Sequence, residues 1–299
     1  LPLAGALLLA CACGPGADAP PPPPEFSMTR AWSHLTTQVA FGPRMPAHSG
    51  HRRQHKWLRD QLSFRADTLI EQKFTAPGED GKPMQLANFV ARFRPELQER
   101  VLLVAHLDTR ARAEGSPEPL DRRFPTPGAN VNASGVAVLM EMAQLLKTQP
   151  PRVGVDLLFT DGVGYSRAID YAGTRHFLRA MPGYRARYAV VLEGVADSDP
   201  KLLMDSASVS GAGDATRRMW EVADELGYDT LFVAQAGKAR DTQGSVLAAA
   251  GIATVVVAES EYGPGNIAWN STDDYPRLTS EETLRAVGRT LVALVYREQ

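Results

Sequence analysis

The sequence predicts an α/β fold in which a mixed, mostly parallel central sheet lies between two layers of helices. Strand-like and helix-like segments alternate along the chain, which is typical of a three-layer α/β/α sandwich. Residues 101–107 form an apolar run in which only His106 is polar, which indicates a strand buried on both faces. Residues 132–147 then predict a helix with one apolar face. That face comprises Val136, Leu139, Met140, Ala143 and Leu146.

The other elements are predicted from the period of two residues in a strand and the period of 3.6 residues in a helix. Residues 57–64 are expected to be helical, and residues 68–74 and 85–93 alternate as half-buried strands do. Further strands are predicted at 155–160, 188–192 and 253–258, and further helices at 171–180, 215–226 and 281–296. Ligands of such sheets bind at the carboxyl ends of the strands, so chemically active residues are expected directly after each strand.

Composition limits the possible classes of function. The chain has 299 residues, of which 44% are hydrophobic and 22% charged, as in an ordinary globular protein. Its 32 basic and 34 acidic residues give a net charge of -2. No nucleic-acid partner is expected, because proteins that bind nucleic acids need a basic surface that neutralises phosphates. No apolar run reaches the about 18 residues of a transmembrane helix.

Both cysteines lie in the first thirteen residues. Leu-Leu-Ala-Cys at residues 8–11 resembles a bacterial lipobox, at which a leader is cut and the cysteine is lipidated. We therefore expect residues 1–13 to be a leader and Cys11 the lipidation site, with a plain or truncated signal peptide as the alternative. A disulfide between Cys11 and Cys13 would be strained. No methionine or basic residue precedes the apolar run, so the start of the leader is expected to be incomplete.

A spacer and one domain are expected after the leader. Residues 14–24 include the five prolines Pro20–Pro24, a composition that gives an extended spacer without a packed core. Residues 25–299 contain no internal repeat and no second linker, which predicts a single domain. The sequence thus predicts a domain that a lipid anchor holds at a membrane, outside the cytoplasm, in the periplasm or at the cell surface.

Five short motifs follow the predicted strands. They are His-Leu-Asp at 106–108, Gly-Ala-Asn-Val-Asn-Ala-Ser-Gly at 128–135, Phe-Thr-Asp-Gly-Val-Gly at 159–164, Leu-Glu-Gly at 192–194 and Trp-Asn-Ser-Thr-Asp-Asp at 269–274. Together with Phe-Gly-Pro-Arg at 41–44, they resemble the zinc-dependent aminopeptidases and glutaminyl-peptide cyclotransferases. The resemblance extends to the terminal helix and implies the α/β metallopeptidase fold that these enzymes share.

Some of the family's polar positions are retained. His106 and Asp108 match a histidine and an aspartate after the first central strand. Glu193 matches an acidic position that is usually aspartate. Asp241 matches an acidic position that precedes the last strand in the cyclase-like members.

Other positions of the family's site are substituted. The resemblance places Val131 at an aspartate ligand, Gly164 at an acidic ligand and Asn270 at a histidine ligand. It places Val163 at the general acid/base. Zinc sites need about three protein donors, whereas valine and glycine offer none and asparagine only a weak, neutral oxygen.

These substitutions imply a non-catalytic homologue. No catalytic residue, no metal ion and no other cofactor are expected, and the domain is interpreted as a binding or scaffold pseudoenzyme. The alternative is an active zinc aminopeptidase or glutaminyl-peptide cyclotransferase with displaced zinc ligands. Those displaced ligands would come from His106, Asp108, Glu193, Asp241 and Asp273.

A residual cleft is expected where the family binds its substrate. Its predicted lining is acidic and aromatic, and comprises His106, Asp108, Glu193, Asp241, Trp269 and Asp273. Such a lining suits a peptide N-terminus or another small amine.

One further pair of histidines stands outside these motifs. His51 and His55 are four residues apart in His-Arg-Arg-Gln-His, the spacing at which a helix presents two zinc ligands on one face. The glutamate of that motif is absent, and two arginines lie between the histidines. We therefore predict a solvated, basic helix face here.

Overall fold

The structure is a computed structural model, and it describes residues 22–78, 81–165 and 171–298. The α-helices in these ranges are α1 (Met28–Ala40), α2 (Ser49–Ser63), α3 (Gly135–Thr148), α4 (Ala172–Ala180), α5 (Ser206–Gly211), α6 (Gly213–Glu225), α7 (Gln243–Ala249) and α8 (Glu281–Tyr296). The strands are β1 (Thr68–Pro77), β2 (Pro83–Phe93), β3 (Arg100–His106), β4 (Gly154–Thr160), β5 (Tyr188–Glu193), β6 (Leu202–Met204), β7 (Phe232–Ala236) and β8 (Thr254–Ala258). A π-helical turn, Ala129–Ser134, runs directly into α3.

The central sheet is mixed. Its strand order is β1-β2-β4-β3-β5-β8, and β6 pairs with β7 in a separate small sheet. Strands β4, β3, β5 and β8 run parallel, whereas β1 and β2 join the sheet antiparallel. In the register, Val104 of β3 stands between Leu158 of β4 and Val191 of β5. The carboxyl ends of the four parallel strands therefore meet at one edge of the sheet.

Helices cover both faces of this sheet. Leu103 and Ala105 of β3 pack in a large core to which α1, α2, α3, α6 and α8 contribute. Leu102 and Val104 point to the other face, against α4 and α7. This alternation is the two-residue period of a strand buried on both sides. The predicted three-layer α/β/α sandwich around a mixed, mostly parallel sheet is confirmed.

The structure also contains elements that the sequence analysis did not predict. Helix α1 precedes the predicted elements and buries Ala31, Leu35 and Gln38 on one face. Helix α2 begins at Ser49, well before the predicted start at residue 57. The short elements β6, β7, α5 and α7 were also not predicted. Short segments carry too few residues for a periodic pattern to stand out.

The predicted leader, with Cys11, lies outside the described residues, and the predicted spacer is described only from residue 22 onward. There, Nε2 of Gln149 donates a hydrogen bond to the carbonyl oxygen of Pro22 at 2.8 Å. The last spacer residues therefore lie at the end of α3. Among the described residues, no helix combines the length and the apolar character needed to cross a membrane.

Candidate ligand-binding cleft at the strand ends

A cavity of about 270 Å³ opens at the carboxyl ends of the parallel strands. Its polar lining includes His106, Arg110, Asn132, Glu193, Asp241 and Asn270. Val131, Val163, Gly164 and Trp269 also line it. A larger cavity of about 780 Å³ lies beside Pro22 and Gln149 and is lined by no residue of the central sheet. Sheets of this kind bind ligands at the carboxyl edge, so the smaller cavity is the candidate site, and we call it the cleft.

His106, the last residue of β3, forms part of the cleft wall. It is only 2% exposed. Its Nδ1 atom lies 3.2 Å from Nδ2 of Asn132 and 3.9 Å from Oδ1 of Asp108. Burial opposes the charged imidazolium, but the negative charges of the nearby Asp108 and Glu193 together raise the pKa of His106. This imidazole is thus held in place by protein groups around it.

Asp108 shapes a loop and does not line the cleft. Its Oδ2 atom accepts hydrogen bonds from the backbone N–H of Val163 at 3.1 Å and of Tyr165 at 2.6 Å. Its Oδ1 atom accepts a second one from Val163 at 3.0 Å. The side chain is fully buried. Because these backbone donors occupy both oxygens, Asp108 fixes the loop after β4, where Val163 and Gly164 form a wall of the cleft.

Val131 lies in the π-helical turn before α3. This turn is anchored by the buried Asp274, whose carboxylate accepts hydrogen bonds from the N–H of Asn130 at 2.7 Å and of Val131 at 3.3 Å. The Val131 side chain packs in a small apolar cluster with Tyr262 and Ala268, beside Trp269. At this position of the cleft, therefore, an apolar contact replaces a possible ligand.

The two aspartates at the end of the last motif face different ways. Asp273 is partly exposed, pairs with Arg277 and does not line the cleft. Asp274 is completely buried and also accepts a hydrogen bond from the hydroxyl of Tyr262 at 3.0 Å. Burial raises the pKa of Asp274 to about 6, although these hydrogen bonds oppose the shift. Of the six residues predicted to line the residual cleft, Asp108 and Asp273 are not in its lining.

The remaining polar groups give the cleft charges of both signs. The hydroxyl of Tyr171 donates a hydrogen bond to Asp241 at 2.8 Å. Burial raises the pKa of Glu193, although the charges of His106 and Arg240 oppose this. The guanidinium of Arg240 lies over the ring of Trp269, 4.8 Å from its centroid. One face of the tryptophan is thus already covered by a cation of the protein itself.

The donors around the cleft do not fit the zinc ion of the resembling enzymes. Zinc requires at least three ligand atoms at about 2.0–2.3 Å from one point. Among the described residues, three histidine, cysteine or acidic side chains bring their ligand atoms within 4.8 Å of one another at only one place, and no cleft residue takes part in it. The set His106, Asp108, Glu193, Asp241 and Asp273 therefore does not assemble in this structure.

The one such cluster consists of His51, His55 and Asp161. His51 is only 4% exposed, and its Nε2 atom lies 2.9 Å from Oδ2 of Asp161. Nε2 of His55 lies 3.2 Å from the same oxygen. The prediction of a solvated basic face is wrong for these histidines, because α2 turns them inward against Asp161. Arg52 and Arg53, which stand between them in the sequence, lie on the exposed side of the helix. The sequence spacing indicated the pair, but nothing in it indicated that Asp161 faces them.

Comparison with known proteins identifies the family. The model of "Peptidase family M28" matches residues 88–295, which include all the parallel strands. The chain belongs to peptidase family M28. The resemblance to zinc aminopeptidases and glutaminyl cyclases is thereby confirmed at the level of family and fold.

Solved structures agree with this M28 assignment. A Zn-dependent exopeptidase from Parabacteroides distasonis superposes with a TM-score of 0.88 at 26% identity, over 92% of this chain and 99% of that one. A glutaminyl cyclase from Bacteroides thetaiotaomicron, bound to N-acetylhistamine, gives a TM-score of 0.88 at 27% identity, over 93% and 100% of the two chains. A leucine aminopeptidase precursor from the same organism is equally similar, with a TM-score of 0.88.

A curated relative matches over a shorter stretch. The uncharacterized protein YfbL of Escherichia coli is 41% identical over 71 residues. That stretch is 24% of this chain and only 20% of YfbL. It therefore supports common ancestry of one segment and carries no information about activity.

Proposed function

We propose that this M28 protein is a non-catalytic binding domain, tethered to a membrane outside the cytoplasm, and that its cleft takes a small ligand with a free amine. The observation that carries the proposal is the composition of the cleft. Val131, Val163 and Gly164 line it where the resemblance places two metal ligands and the general acid/base. None of these side chains can hold a metal ion or transfer a proton.

The acidic groups that remain in the cleft suit an amine. Glu193 and Asp241 line the same cavity, and Trp269 forms another part of its wall. A carboxylate pairs with an ammonium group, and an aromatic wall suits the apolar part of a ligand. The cavity of about 270 Å³ has room for the first residue or two of a peptide. A peptide N-terminus therefore matches both the charge and the size of the cleft.

The apolar substitutions also suit a cleft that works without an ion. Carboxylates that converge without a cation repel each other and raise each other's pKa. Val131 instead contributes to an apolar cluster with Tyr262 and Ala268. The loss of the ligands is accommodated by packing, which supports a domain that retains a cleft but not the chemistry of a peptidase.

The binding experiment uses two probes that differ in one charge. Trialanine with a free N-terminus and N-acetyl-trialanine are titrated into the protein while tryptophan fluorescence is recorded, with Trp269→Phe as the spectroscopic reference. We expect the free amine to bind and the acetylated peptide to bind at least about 10-fold more weakly, since only the former pairs with a carboxylate. Glu193→Gln should weaken the binding of trialanine with a free N-terminus and leave the affinity for N-acetyl-trialanine unchanged. Equal affinity of both probes would contradict the amine site.

The activity experiment tests the absence of catalysis. The protein is supplied with Zn²⁺ and assayed for release of N-terminal residues and for cyclisation of N-terminal glutamine. We expect no turnover above that of the His106→Ala variant, which serves as the matched background. Zinc-dependent turnover that disappears in His106→Ala would show an active enzyme with displaced ligands and would overturn the proposal.

A further inference from the structure

Helix α2 and the end of strand β4 bring two imidazoles and a carboxylate together outside the cleft. His51 and His55 lie one turn apart on α2, with ring centroids 3.9 Å from each other. Asp161 follows β4 directly. Nε2 of His51 lies 3.0 Å from Oδ1 and 2.9 Å from Oδ2 of this aspartate, and Nε2 of His55 lies 3.2 Å from Oδ2.

The spacing of these atoms is close to that of ligands around one ion. Ligand atoms held about 2.0–2.1 Å from a tetrahedral zinc ion lie about 3.3 Å from one another. The observed separations of 2.9 and 3.2 Å from Oδ2 differ from this by only a few tenths of an ångström. All three ligand atoms lie within 4.8 Å of one another. A small rotation of the side chains would therefore place an ion between them.

The carboxylate is held in place by the backbone around it. Oδ2 of Asp161 accepts a hydrogen bond from the N–H of Ala87 at 2.9 Å, and Oδ1 accepts one from the N–H of Gly162 at 2.9 Å. Asp161 is completely buried. Hydrogen bonds of this kind orient a metal ligand and reduce the entropy lost when an ion binds.

The histidines are also oriented toward the carboxylate. The ring of His55 stands edge-on to Phe89, with centroids 5.3 Å apart, which fixes the imidazole plane. Its Nε2 atom is buried, yet among the described residues it has no hydrogen-bond partner of good geometry. A buried nitrogen without a satisfactory partner is costly, and a metal ion would satisfy it.

The charges around the cluster do not exclude a cation. The side chains of Arg52 and Arg53 donate to the carbonyl oxygens of Ala47 and Phe41. Both arginines are exposed, so solvent and salt screen their charges. Asp161, fully buried between the two histidines, is the acidic group of the cluster itself.

We propose that His51, His55 and Asp161 form a binding site for a divalent transition-metal ion such as Zn²⁺, with water as the remaining ligand. Two imidazoles and one carboxylate are a donor set that zinc accepts. The ion would link α2 to the loop after β4, and that loop carries Val163 and Gly164 of the cleft wall. The site lies apart from the cleft and does not depend on the proposed function.

The experiment is a titration of the metal-free full chain with Zn²⁺ by calorimetry, in the wild type and in two histidine variants. His55→Gln removes one ligand, and His48→Gln is the matched control because His48 is an exposed residue just before α2. We expect one Zn²⁺ per chain in the wild type and in His48→Gln. His55→Gln should bind at least about 100-fold more weakly, since even loss of a group that only orients a ligand costs about 10- to 100-fold.

Two further readouts locate the ion. The imidazole NMR signals of His51 and His55 in the wild type should shift on addition of Zn²⁺, while those of His106 should not; this readout does not require His55→Gln to fold. Absence of Zn²⁺ binding, or equal affinity of His55→Gln and the wild type, would overturn the site. Binding that survives in His55→Gln and is lost in His106→Ala would place the ion in the cleft and overturn this site and the metal-free cleft together. Binding lost only in His55→Gln would support this site and leave the cleft metal-free.

Discussion

Gly164 lies so close to the backbone of Asp108 that a Cβ atom on residue 164 would stand 2.5 Å from the Asp108 carbonyl oxygen. The same Cβ would lie 2.9 Å from Cε1 of His106. Protein interiors do not tolerate such approaches without movement of the backbone. The position that the resemblance assigns to an acidic ligand thus has no room for any side chain while the loop keeps its present course.

The contact between Gly164 and Asp108 predicts a large effect of a very small substitution. Gly164→Ala should lower the free energy of unfolding by about 1–3 kcal/mol, because the added methyl group forces the loop away from Asp108. Denaturant unfolding followed by circular dichroism measures this. Gly211→Ala is the matched control, since a Cβ there has no neighbour within 4 Å. Equal stability of the two variants would show that the loop after β4 moves away from Asp108 without a cost in free energy.

A second prediction concerns the apolar cluster around Val131. Val131→Asp should destabilise the metal-free protein by about 2–4 kcal/mol, because a carboxylate would be buried against Tyr262 and Ala268 without a partner cation. Val131→Thr, which keeps the shape and adds only a hydroxyl, should cost about 1–2 kcal/mol. Thermal or denaturant unfolding compares the variants. An unchanged stability in Val131→Asp would mean that the position is open to solvent or to a cation.

The fold could be predicted further than the site because the two depend on different information. The residues from Val101 to Leu107 are apolar except for His106, and β3 is indeed buried on both faces. The helix predicted at 132–147 has its apolar face against the sheet as α3. These patterns are local and repeat along the chain. Helix α1 was missed although Ala31, Leu35 and Gln38 are spaced as one buried face.

The site depends on the directions in which neighbouring side chains point. Asp273 and Asp274 are adjacent in the sequence, yet the former pairs with Arg277 at the surface and the latter holds the π-helical turn. His51 and His55 share a basic segment with Arg52 and Arg53, but the helix buries the histidines against Asp161. Composition alone cannot distinguish such neighbours. Only the chain path after β4 brings Asp161 to the helix.

A third prediction follows from the buried carboxyl of Asp274. Burial raises its pKa from the ordinary value of 3.8 to about 6. Between these pH values the folded state keeps a proton that the unfolded state has lost, so the free energy of unfolding should fall as pH rises from about 4 to about 6. The full effect is at most about 3 kcal/mol. Asp274→Asn cannot titrate and should show a shallower decline.

Urea unfolding at a series of pH values tests the prediction for Asp274. Asp273→Asn is the matched control, because the neighbouring carboxylate lies at the surface and pairs with Arg277. It should leave the decline between pH 4 and 6 as steep as in the wild type. A decline equally steep in Asp274→Asn would assign it to other groups, of which Glu259, a buried acid, and Glu193, in the wall of the cleft, also have raised pKa values.

A fourth prediction separates the tether from the domain. Deletion of residues 1–24 removes the predicted leader and spacer, and within the described residues it costs the hydrogen bond from Gln149 to Pro22. The free energy of unfolding should therefore change by no more than about 1 kcal/mol. The full chain, made in a bacterium with its leader completed at the N-terminus, should fractionate with membranes, and Cys11→Ala should release it as the deletion does. Membrane association that survives Cys11→Ala would contradict lipidation at this residue.

The last prediction concerns the cation that already covers Trp269. The guanidinium of Arg240 lies 4.8 Å from the ring centroid, and its charge opposes the burial that raises the pKa of Glu193. Arg240→Gln should free this aromatic face for the ammonium group of a ligand and remove a like charge from its approach. A contact of this kind contributes about 0.5–2 kcal/mol, so trialanine should bind about 2- to 30-fold more tightly at neutral pH.

Arg289→Gln is the matched control for Arg240→Gln, since Arg289 lies over Tyr228 in the same manner, 5.8 Å from the ring centroid, and neither Arg289 nor Tyr228 lines the cleft. It should leave the affinity for trialanine unchanged. The affinity for N-acetyl-trialanine should not increase in Arg240→Gln, because this peptide has no ammonium group to place on the freed ring. A gain shared by both peptides would mean that Arg240 blocks the cleft by its size; weaker binding of trialanine would mean that Arg240 itself holds the ligand, through the peptide carboxylate.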